Sequence, residues 1–291
     1  MAKVWLVTGS ARGLGREIVE AALRAGESVV ATARDPRQLA DVLARYGGQV
    51  RAVALDVTDP AAARNAVQAA IDAFGRLDVV VNNAGFGHLA PFEQTPEDDF
   101  RAQIDTNFYG VVNVTRAALP VLRQQRSGHI IQISSVGGRV GIAGLSAYQA
   151  AKWAVGGFTE VISQELAPFG VHVTALEPGG MKTDWGTEAG SATPALLPDY
   201  VASVGAVADM LSQYLGRETS DPAKVAQVVL KLAYHDQLPA HLLLGSDALH
   251  YCGEGDKARA ANAEAWRAVS VATDFTAPTP LPGFPVAAAQ T

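Results

Sequence analysis

A tyrosine and a lysine four residues apart carry the clearest chemical signal in this chain. If Tyr148 and Lys152 lie on one helix, they occupy the same face one turn apart. An ammonium group beside a phenol favours the phenolate, which makes the tyrosine an easier proton donor near neutral pH. A serine hydroxyl from the pair Ser134 and Ser135 could hold a carbonyl oxygen nearby. The combination predicts proton transfer to or from a substrate oxygen.

The charge of one lysine is a sufficient cause for this effect. A free phenol titrates near pH ~10, and lowering its pKa to ~7 takes about 4 kcal/mol. A unit charge ~4 Å away contributes on the order of 4 kcal/mol at an effective dielectric constant of ~20. We therefore expect Lys152 to lower the pKa of Tyr148. No metal is needed, and the six histidines are scattered through the sequence.

A glycine cluster lies between the first predicted strand and the first predicted helix. Gly9, Gly13 and Gly15 stand in the stretch TGSARGLG. Glycines let the backbone turn sharply and approach a pyrophosphate at a helix N-terminus, where free N–H groups favour anions. An ordinary tight turn is the alternative, but the order strand, glycines, helix favours a dinucleotide site.

Strands and helices alternate along the sequence. Predicted strands cover 3–8, 28–33, 51–57, 77–85, 129–135, 171–179 and 241–247. Long helices are predicted over about 97–124, with a bend near Pro120, and over about 147–169 around Tyr148. This alternation predicts a Rossmann-type, doubly wound, three-layer α/β fold with a seven-stranded parallel sheet.

The 291 residues are expected to form a single catalytic domain, 1–291. Residues at about 180–220 interrupt the alternation and include Trp185 and a predicted helix at about 199–215. We interpret this insertion as a lid over a ligand, with a packed surface excursion as the alternative. A C-terminal extension at about 252–291 is predicted to hold a helix followed by an irregular, proline-rich tail.

Composition and charge argue against several classes of partner. Apolar residues make up 48%, charged residues 18%, and the formal net charge is −6, which argues against nucleic acid and anionic membranes. No apolar stretch approaches the roughly 20 residues needed to span a bilayer. The N-terminus offers no export signal, and the single cysteine, Cys252, fits a reducing compartment. We expect a cytoplasmic protein without nucleic acid or membrane partners.

Seven motifs, in order over about residues 4–250, resemble those of the short-chain dehydrogenase/reductase family. They are the T-G-x-x-x-G-x-G loop at 8–15, Asp56, the N-N-A-G turn at 82–85, Asn107, Ser135, the pair Tyr148-x-x-x-Lys152, and Pro178-Gly179. The resemblance implies an oxidoreductase that interconverts a ketone or aldehyde and an alcohol by direct hydride transfer with a nicotinamide dinucleotide.

The resemblance also implies roles for four catalytic residues. Tyr148 donates or accepts the proton of the substrate oxygen, and Lys152 lowers its pKa and holds the nicotinamide ribose. Ser135, thirteen residues before Tyr148, matches the serine that binds the substrate oxygen. Asn107 supports a water that links Lys152 to solvent. Ser134 is the neighbour that could be mistaken for Ser135, and successive strand residues face opposite ways.

Cofactor contacts are expected from the glycine loop, the turns that follow the strands, and the catalytic pair. They are Gly9, Ala11, Arg12, Gly13, Leu14, Gly15, Arg34, Asp56, Val57, Asn83, Ala84, Gly85, Tyr148, Lys152, Pro178, Gly179 and Thr183. The resemblance implies that Asp56 holds the adenine ring. Thr183 either binds the nicotinamide carboxamide or caps a turn.

The choice between NAD and NADP follows from charge. Asp35 lies twenty residues after Gly15, which fits an acid on a ribose hydroxyl, but its position before Pro36 gives it a job as a helix N-cap. Ala33 occupies the family's NAD-selecting position. Arg34 and Arg12 could clamp a 2′-phosphate. Two surface arginines are the alternative, and we favour NADP(H).

The substrate and the assembly are less constrained. An apolar ketone or alcohol is expected against Ser135, Gly137, Val140, Tyr148, Met181 and Trp185, although plain loop packing explains the non-catalytic members equally well. The same scaffold supports epimerases and dehydratases, and a non-catalytic NADP sensor is a further alternative. The helices around 97–124 and 147–169 are expected to form a homodimer, with a tetramer possible.

Overall fold

Seven parallel strands form one sheet in the computed structural model, which describes residues 2–191, 193–276 and 282–285. They are β1 (Val4–Val7), β2 (Ser28–Ala33), β3 (Val50–Ala54), β4 (Val79–Asn82), β5 (Gly128–Ile133), β6 (Val171–Pro178) and β7 (His241–Leu244). Their order across the sheet is β3-β2-β1-β4-β5-β6-β7, and every neighbouring pair is parallel. The predicted seven-stranded α/β fold is confirmed.

Helices cover both faces of this sheet. They are α1 (Gly13–Arg24), α2 (Ala40–Tyr46), α3 (Pro60–Phe74), α4 (Glu97–Ile104), α5 (Gly110–Gln125), α6 (Ser146–Leu166), α7 (Trp185–Ser191), α8 (Ala206–Tyr214), α9 (Pro222–Leu232), α10 (Ser246–Ala265) and α11 (Arg267–Val271). Buried residues of α1, α2 and α9 pack on one face, and those of α3, α5 and α6 pack on the other.

Alternation along β1 shows why its strand is apolar throughout. Trp5 and Val7 belong to the core under α1 and α9, whereas Val4 and Leu6 belong to the core under α3 and α5. Because successive side chains point to opposite faces, a strand covered on both sides needs no polar positions.

The winding direction reverses between β1 and β4. From β1 the chain builds outward through β2 and β3, then returns to place β4 on the other side of β1. The loops that leave the carboxyl ends of these two strands therefore diverge and leave a crevice between them, which is where ligands bind in open α/β sheets.

The long helix predicted over 97–124 is interrupted at a different point from the one expected. α4 ends at Ile104, a wider π-helical turn covers Asp105–Tyr109, and α5 then runs on with Pro120 inside it. Asn107 lies in the π-helical turn, and its side-chain Nδ2 donates to the Gln103 carbonyl oxygen at 2.8 Å. The π-helical turn thus accommodates the hydrogen bond of the buried Asn107 side chain. No proline or glycine within the turn marks it in the sequence.

The segment 180–220 also differs in detail from the prediction. The helix expected at 199–215 is a 3₁₀ turn (Pro198–Tyr200), a π-helical turn (Val201–Gly205) and α8, and the short helix α7 was not predicted. A small apolar cluster of Leu89, Leu145 and Val204 attaches this segment to the rest of the molecule.

The C-terminal helix begins earlier than the predicted extension. α10 starts at Ser246, immediately after β7, and Cys252 is buried within it. Of the proline-rich tail, residues 277–281 and 286–291 lie outside the described residues, and 282–285 form neither helix nor strand. The expected homodimer stays a prediction; the helices involved expose Tyr109 and Val161.

Among the residues that the structure describes, no helix is both long enough and apolar enough to cross a membrane.

A histidine is buried at the amino end of the sheet. His129 of β5 is 4% exposed, and its ring centroid lies 5.0 Å from that of His172 on β6. Because His129 Nε2 contacts the His235 carbonyl oxygen at 3.1 Å, Nε2 carries the proton. Nδ1 has no hydrogen-bond partner among the described residues. Burial lowers the pKa of His129 to about 4.

We predict that His129 makes the fold sensitive to acid. Its folded pKa lies below the ordinary value near ~6.5, so the unfolded chain binds the proton first as pH falls. Stability is fully present above pH ~6.5 and falls by about 3 kcal/mol as pH drops to about 4. His129→Gln, which can keep the donor to His235, should flatten this part of the profile in urea unfolding measured between pH 7 and pH 4. His172→Gln is the matched control, and an equal flattening in both variants would contradict the assignment.

Candidate active site

A cavity of about 1750 Å³ opens at the carboxyl edge of the sheet. The predicted catalytic, cofactor and substrate residues all line it, with the exception of Gly15. Sequence positions as distant as Gly9, Asp56, Tyr148 and Trp185 thus border one continuous space. Within the described ranges, no group of three or more His, Cys, Asp or Glu side chains is arranged to hold a metal ion.

The glycine loop takes a backbone path that favours glycine. Gly9 and Gly13 have φ angles of +67° and +54°, in the left-handed region that L side chains rarely adopt. Gly15 differs, because it packs behind the loop instead of lining the cavity. A Cβ at Gly15 would overlap the Gly9 carbonyl oxygen and the Asn83 side chain. We expected Gly15 to contact a cofactor; its position lets α1 approach the loop closely.

Four hydrogen bonds join the loop to the turn that follows β4. Thr8 Oγ1 accepts from the backbone N–H groups of Asn83 and Ala84 at 2.9 and 3.0 Å. Asn83 Nδ2 in turn donates to the carbonyl oxygens of Thr8 and Gly9 at 2.9 and 3.2 Å. Sequence reasoning did not assign a role to Thr8, although it precedes the first glycine of the motif. These bonds fix the width of the crevice between β1 and β4.

Polar groups at the far end of the cavity surround the position predicted for adenosine. Asp56 Oδ1 accepts from Thr58 N at 2.9 Å and from Thr58 Oγ1 at 2.7 Å. These two bonds hold the pKa of Asp56 below its usual value, with a smaller effect from Arg34. Asp35 accepts from Arg37 N at 3.0 Å and caps the helical turn that follows β2.

Arg12 has a partner that the sequence did not indicate. Its guanidinium forms a two-pronged ion pair with Glu188 of α7, in which Nη2 donates to Oε2 at 2.6 Å. Both side chains are largely exposed, at 60% and 42%. Arg12 was expected to reach a 2′-phosphate, and here it links the glycine loop to the segment 180–220. The two residues are 176 positions apart, so spacing carries no signal for the pair.

The catalytic candidates converge where β5 and α6 meet. Lys152 Nζ donates to the Ile133 carbonyl oxygen at 2.6 Å and lies 5.7 Å from the Tyr148 ring centroid. Ser135 Oγ accepts from Gly137 N at 3.0 Å, and the Ser135 hydroxyl acts on the pKa of the Tyr148 phenol. Ser134 instead donates to the Lys152 carbonyl oxygen at 3.3 Å, so its hydroxyl serves the helix backbone.

The pKa of Tyr148 moves opposite to the expected direction. Burial raises it to about 12, and the hydrogen bond with Ser135 opposes this only in part. Burial also lowers the pKa of Lys152 to about 8. In this structure the pKa of Tyr148 therefore lies above its usual value and not below it, and the lowering effect of Lys152 stays a prediction. The earlier estimate counted the lysine charge and left out the cost of taking a phenolate out of water.

Asn107 is completely buried beside the lysine. Its Nδ2 also donates to the Phe86 carbonyl oxygen at 2.7 Å, and its Oδ1 accepts from Phe86 N at 3.1 Å. A Cβ placed on Gly85 would lie 2.5 Å from Asn107 Oδ1 and 3.6 Å from Lys152 Nζ. Both polar groups therefore border the same small space.

Trp185 contacts Tyr148 from the segment 180–220. The two ring centroids are 4.9 Å apart, at an interplanar angle of 46°. Gly87 leaves room for this contact, because a Cβ there would lie 2.9 Å from Trp185 and 3.0 Å from Tyr148. Thr183 Oγ1 accepts from Trp185 N at 3.4 Å, which supports the turn role for Thr183 while it also borders the cavity.

Several cavity residues were missed by sequence reasoning. They are Phe86, Glu188, Met210, Tyr214, Asp247, Tyr251 and Gly255. Asp247 Oδ2 accepts from Gly180 N at 2.7 Å and so supports the turn that follows Pro178-Gly179. Most of these residues belong to α7, α8 and α10, whose packing against the cavity depends on long-range contacts.

Comparisons with known proteins all point to the short-chain dehydrogenases and related oxidoreductases. A sequence model of the short chain dehydrogenases matches residues 3–194. Oxidoreductase BOA17 of Botryotinia fuckeliana is 50% identical over 276 residues, which span 94% of this chain and 100% of the relative. The 3-oxoacyl-[acyl-carrier-protein] reductase FabG of Vibrio harveyi is 32% identical over 251 residues, 86% of this chain and 96% of the relative.

A solved structure extends the similarity to the whole fold. The crystal structure of a short-chain dehydrogenase from Streptomyces avermitilis superposes with a TM-score of 0.86 at 36% identity. The superposition covers 94% of this chain and 100% of that chain. The match to the sequence model ends before α8, so α8 to α11 lie beyond it.

We predict that Gly15→Ala destabilises the protein. The added methyl group would meet a backbone carbonyl that cannot move aside as a side chain can, and overpacking of this kind costs about 1–3 kcal/mol. Gly48→Ala is the control, because a Cβ at Gly48 meets nothing within 4 Å. The midpoint of urea unfolding should fall for Gly15→Ala alone. Equal midpoints for the two variants would mean that the loop and α1 can separate without cost.

Proposed function

This chain belongs to the short-chain dehydrogenase family, and we propose that it is an NADP(H)-dependent oxidoreductase that interconverts a ketone or aldehyde and an alcohol. The observation that carries the proposal is the arrangement of Ser135, Tyr148 and Lys152 around the same cavity as the glycine loop. A reductase of a 3-oxoacyl group among the relatives supports carbonyl chemistry.

The residues of the cavity fit an elongated dinucleotide. A Cβ on Gly13 would meet only Thr183, at 3.8 Å, so the loop presents bare backbone to the cavity at the start of α1. Asp56 and Val57 would border the adenine, and Pro178 and Gly179 the nicotinamide. When bound, the nicotinamide would supply or accept the hydride.

Tyr148 is suited to act as the acid during reduction. With a pKa near 12 it is protonated at neutral pH, and its proton is available to a carbonyl oxygen placed beside the phenol. Ser135, which lines the cavity together with Tyr148, would hold the same oxygen and orient it. Charge that develops on that oxygen is then stabilised by two hydroxyl donors in a site shielded from water.

Lys152 holds a positive charge close to the reacting oxygen. One of its three N–H donors is used by the Ile133 carbonyl, which leaves two for other partners such as the nicotinamide ribose. Its pKa near 8 means that the ammonium form predominates at neutral pH. In the oxidation direction Tyr148 must first lose its proton, and this positive charge favours that step.

The segment 180–220 is proposed to cover the bound ligands. Trp185 and Glu188 approach the cavity from α7, and Met210 and Tyr214 approach it from α8. A cover of this kind excludes water from the reacting groups, which strengthens the electrostatic interactions among them.

We expect Tyr148→Phe to abolish most turnover. Removal of the hydroxyl takes away the proton donor, and general acid catalysis is worth about 10²–10⁴-fold. Initial rates of NADPH oxidation with a panel of ketones measure the loss, and calorimetric titration should give a dissociation constant for NADPH close to that of the wild type. Tyr109→Phe, at an exposed tyrosine outside the cavity, is the control. Substantial residual turnover in Tyr148→Phe would exclude it as the acid.

The preference for NADP(H) is supported by the charges after β2. The Asp35 carboxylate is occupied by Arg37, through its backbone N–H and through a side-chain ion pair at 2.8 Å. Arg34 borders the cavity and forms no ion pair within the described part of the chain. A phosphate on the adenosine ribose would find this guanidinium available for charge-assisted hydrogen bonds.

We predict a higher kcat/KM with NADPH than with NADH, and a loss of that preference in Arg34→Ala. Hydrogen bonds to charged groups contribute about 1.5–3 kcal/mol, so the ratio of the two kcat/KM values should fall about tenfold or more. Arg51→Ala removes the same charge from the neighbouring strand β3 and should leave the ratio unchanged. A wild-type preference for NADH would overturn the assignment of the cofactor.

A further inference from the structure

α10 lies beyond the part of the chain that matches the family model, yet it borders the cavity. Residues 3–194 are matched, whereas α10 spans Ser246–Ala265. Tyr251 and Gly255 of α10 line the cavity together with Val140, which follows Ser135 by five positions. The wall on this side therefore combines a segment shared with the family and a helix outside the match.

Gly255 brings α10 into close contact with Val140. A Cβ built on Gly255 would lie 2.9 Å from Val140 Cγ1, closer than real carbon atoms pack. A Cβ on Gly253, two residues earlier on the same helix, would meet nothing within 4 Å. Glycine inside a helix is unfavourable relative to alanine, and the contact with Val140 gives a steric reason for it at Gly255.

Polar contacts hold α10 to the segment that follows Ser135. Arg259 Nη1 donates to the Arg139 carbonyl oxygen at 2.8 Å, and Arg139 Nη2 lies 3.3 Å from Asp256 Oδ2. Arg139 also reaches Glu177, a fully buried carboxylate at the end of β6, at 3.3 Å. The helix and the segment thus form one wall that cannot easily separate.

Other apolar residues line the same cavity. They include Ile142, Trp185, Val207, Met210 and Leu211. An apolar group attached to the reacting carbonyl would occupy this space, with its oxygen at Ser135 and Tyr148.

We propose that α10 forms the selective wall of the substrate cavity, and that the contact between Gly255 and Val140 sets the largest apolar substituent the cavity accepts. The substrate class is then a ketone, or the corresponding alcohol, with an extended apolar group on one side. The inference rests on the proposed carbonyl reductase function, since it concerns the selection of the substrate in that reaction.

The test is a double-mutant comparison on a graded series of methyl ketones, from 2-butanone to 2-decanone, reduced with NADPH. The measured quantity is the ratio of kcat/KM for the longest ketone to that for the shortest. Gly255→Ala should lower this ratio about fourfold for each methylene that is excluded. Val140→Ala in the same chain removes the atom that the new Cβ meets, and it should return the ratio to within about twofold of wild type. Gly253→Ala should leave the ratio unchanged.

Two further measurements keep the outcomes distinct. Val140→Ile adds a methylene to the side chain that faces Gly255, so it should also lower the ratio. This variant tests the inference if Gly255→Ala fails to fold. Titration of the same ketones against tryptophan fluorescence reports binding without turnover. If wild type reduces no ketone, but Gly255→Ala still weakens the binding of long ketones more than that of short ones, the proposed reaction is wrong and the role of α10 in selection is supported. An unchanged ratio in Gly255→Ala, or a lowered ratio that Val140→Ala does not restore, overturns the inference.

Discussion

Four hydrogen bonds at the ends of β1 and β4 hold the rest of the site in place. The side chains of Thr8 and Asn83 each form two hydrogen bonds to the backbone on the opposite side of the point where the winding of the sheet reverses. Because the glycine loop leaves β1 there and the N-N-A-G turn leaves β4, a change in their separation would move both walls of the cavity. Each bond contributes only about 1 kcal/mol, but leaving a buried partner unsatisfied costs more.

Burial governs the chemistry of Tyr148 and Lys152 more than their mutual attraction does. Both groups are deprived of water, so the phenol is driven toward its protonated form and the amine toward its neutral form. The two shifts have the same cause, and both favour a state with less charge. At neutral pH these shifts leave an uncharged phenol beside an ammonium group.

Local patterns in the sequence predicted the sheet, its helices and the family, because strand periodicity, Asp-Pro caps and glycine spacing depend on neighbouring residues. The same patterns could not predict the π-helical turn at Asn107, where the buried side chain donates a hydrogen bond to the Gln103 carbonyl oxygen. The early start of α10 and the ion pair of Arg12 with Glu188 were also missed. The pairing of Gly255 with Val140 joins residues from separate parts of the chain. Sequence spacing fixes what is close along the backbone, and these features depend on what is close in space.

The ion pair between Arg12 and Glu188 makes one contact in the wall of the cavity sensitive to dissolved salt. Both side chains face solvent, and exposed pairs contribute about 0–1 kcal/mol to stability. The glycine loop and the segment 180–220 are therefore joined by a weak link that dissolved salt screens over distances of about 10 Å. Added salt therefore weakens the contact between the glycine loop and α7, whereas buried contacts such as that of Lys152 with the Ile133 carbonyl oxygen are screened much less.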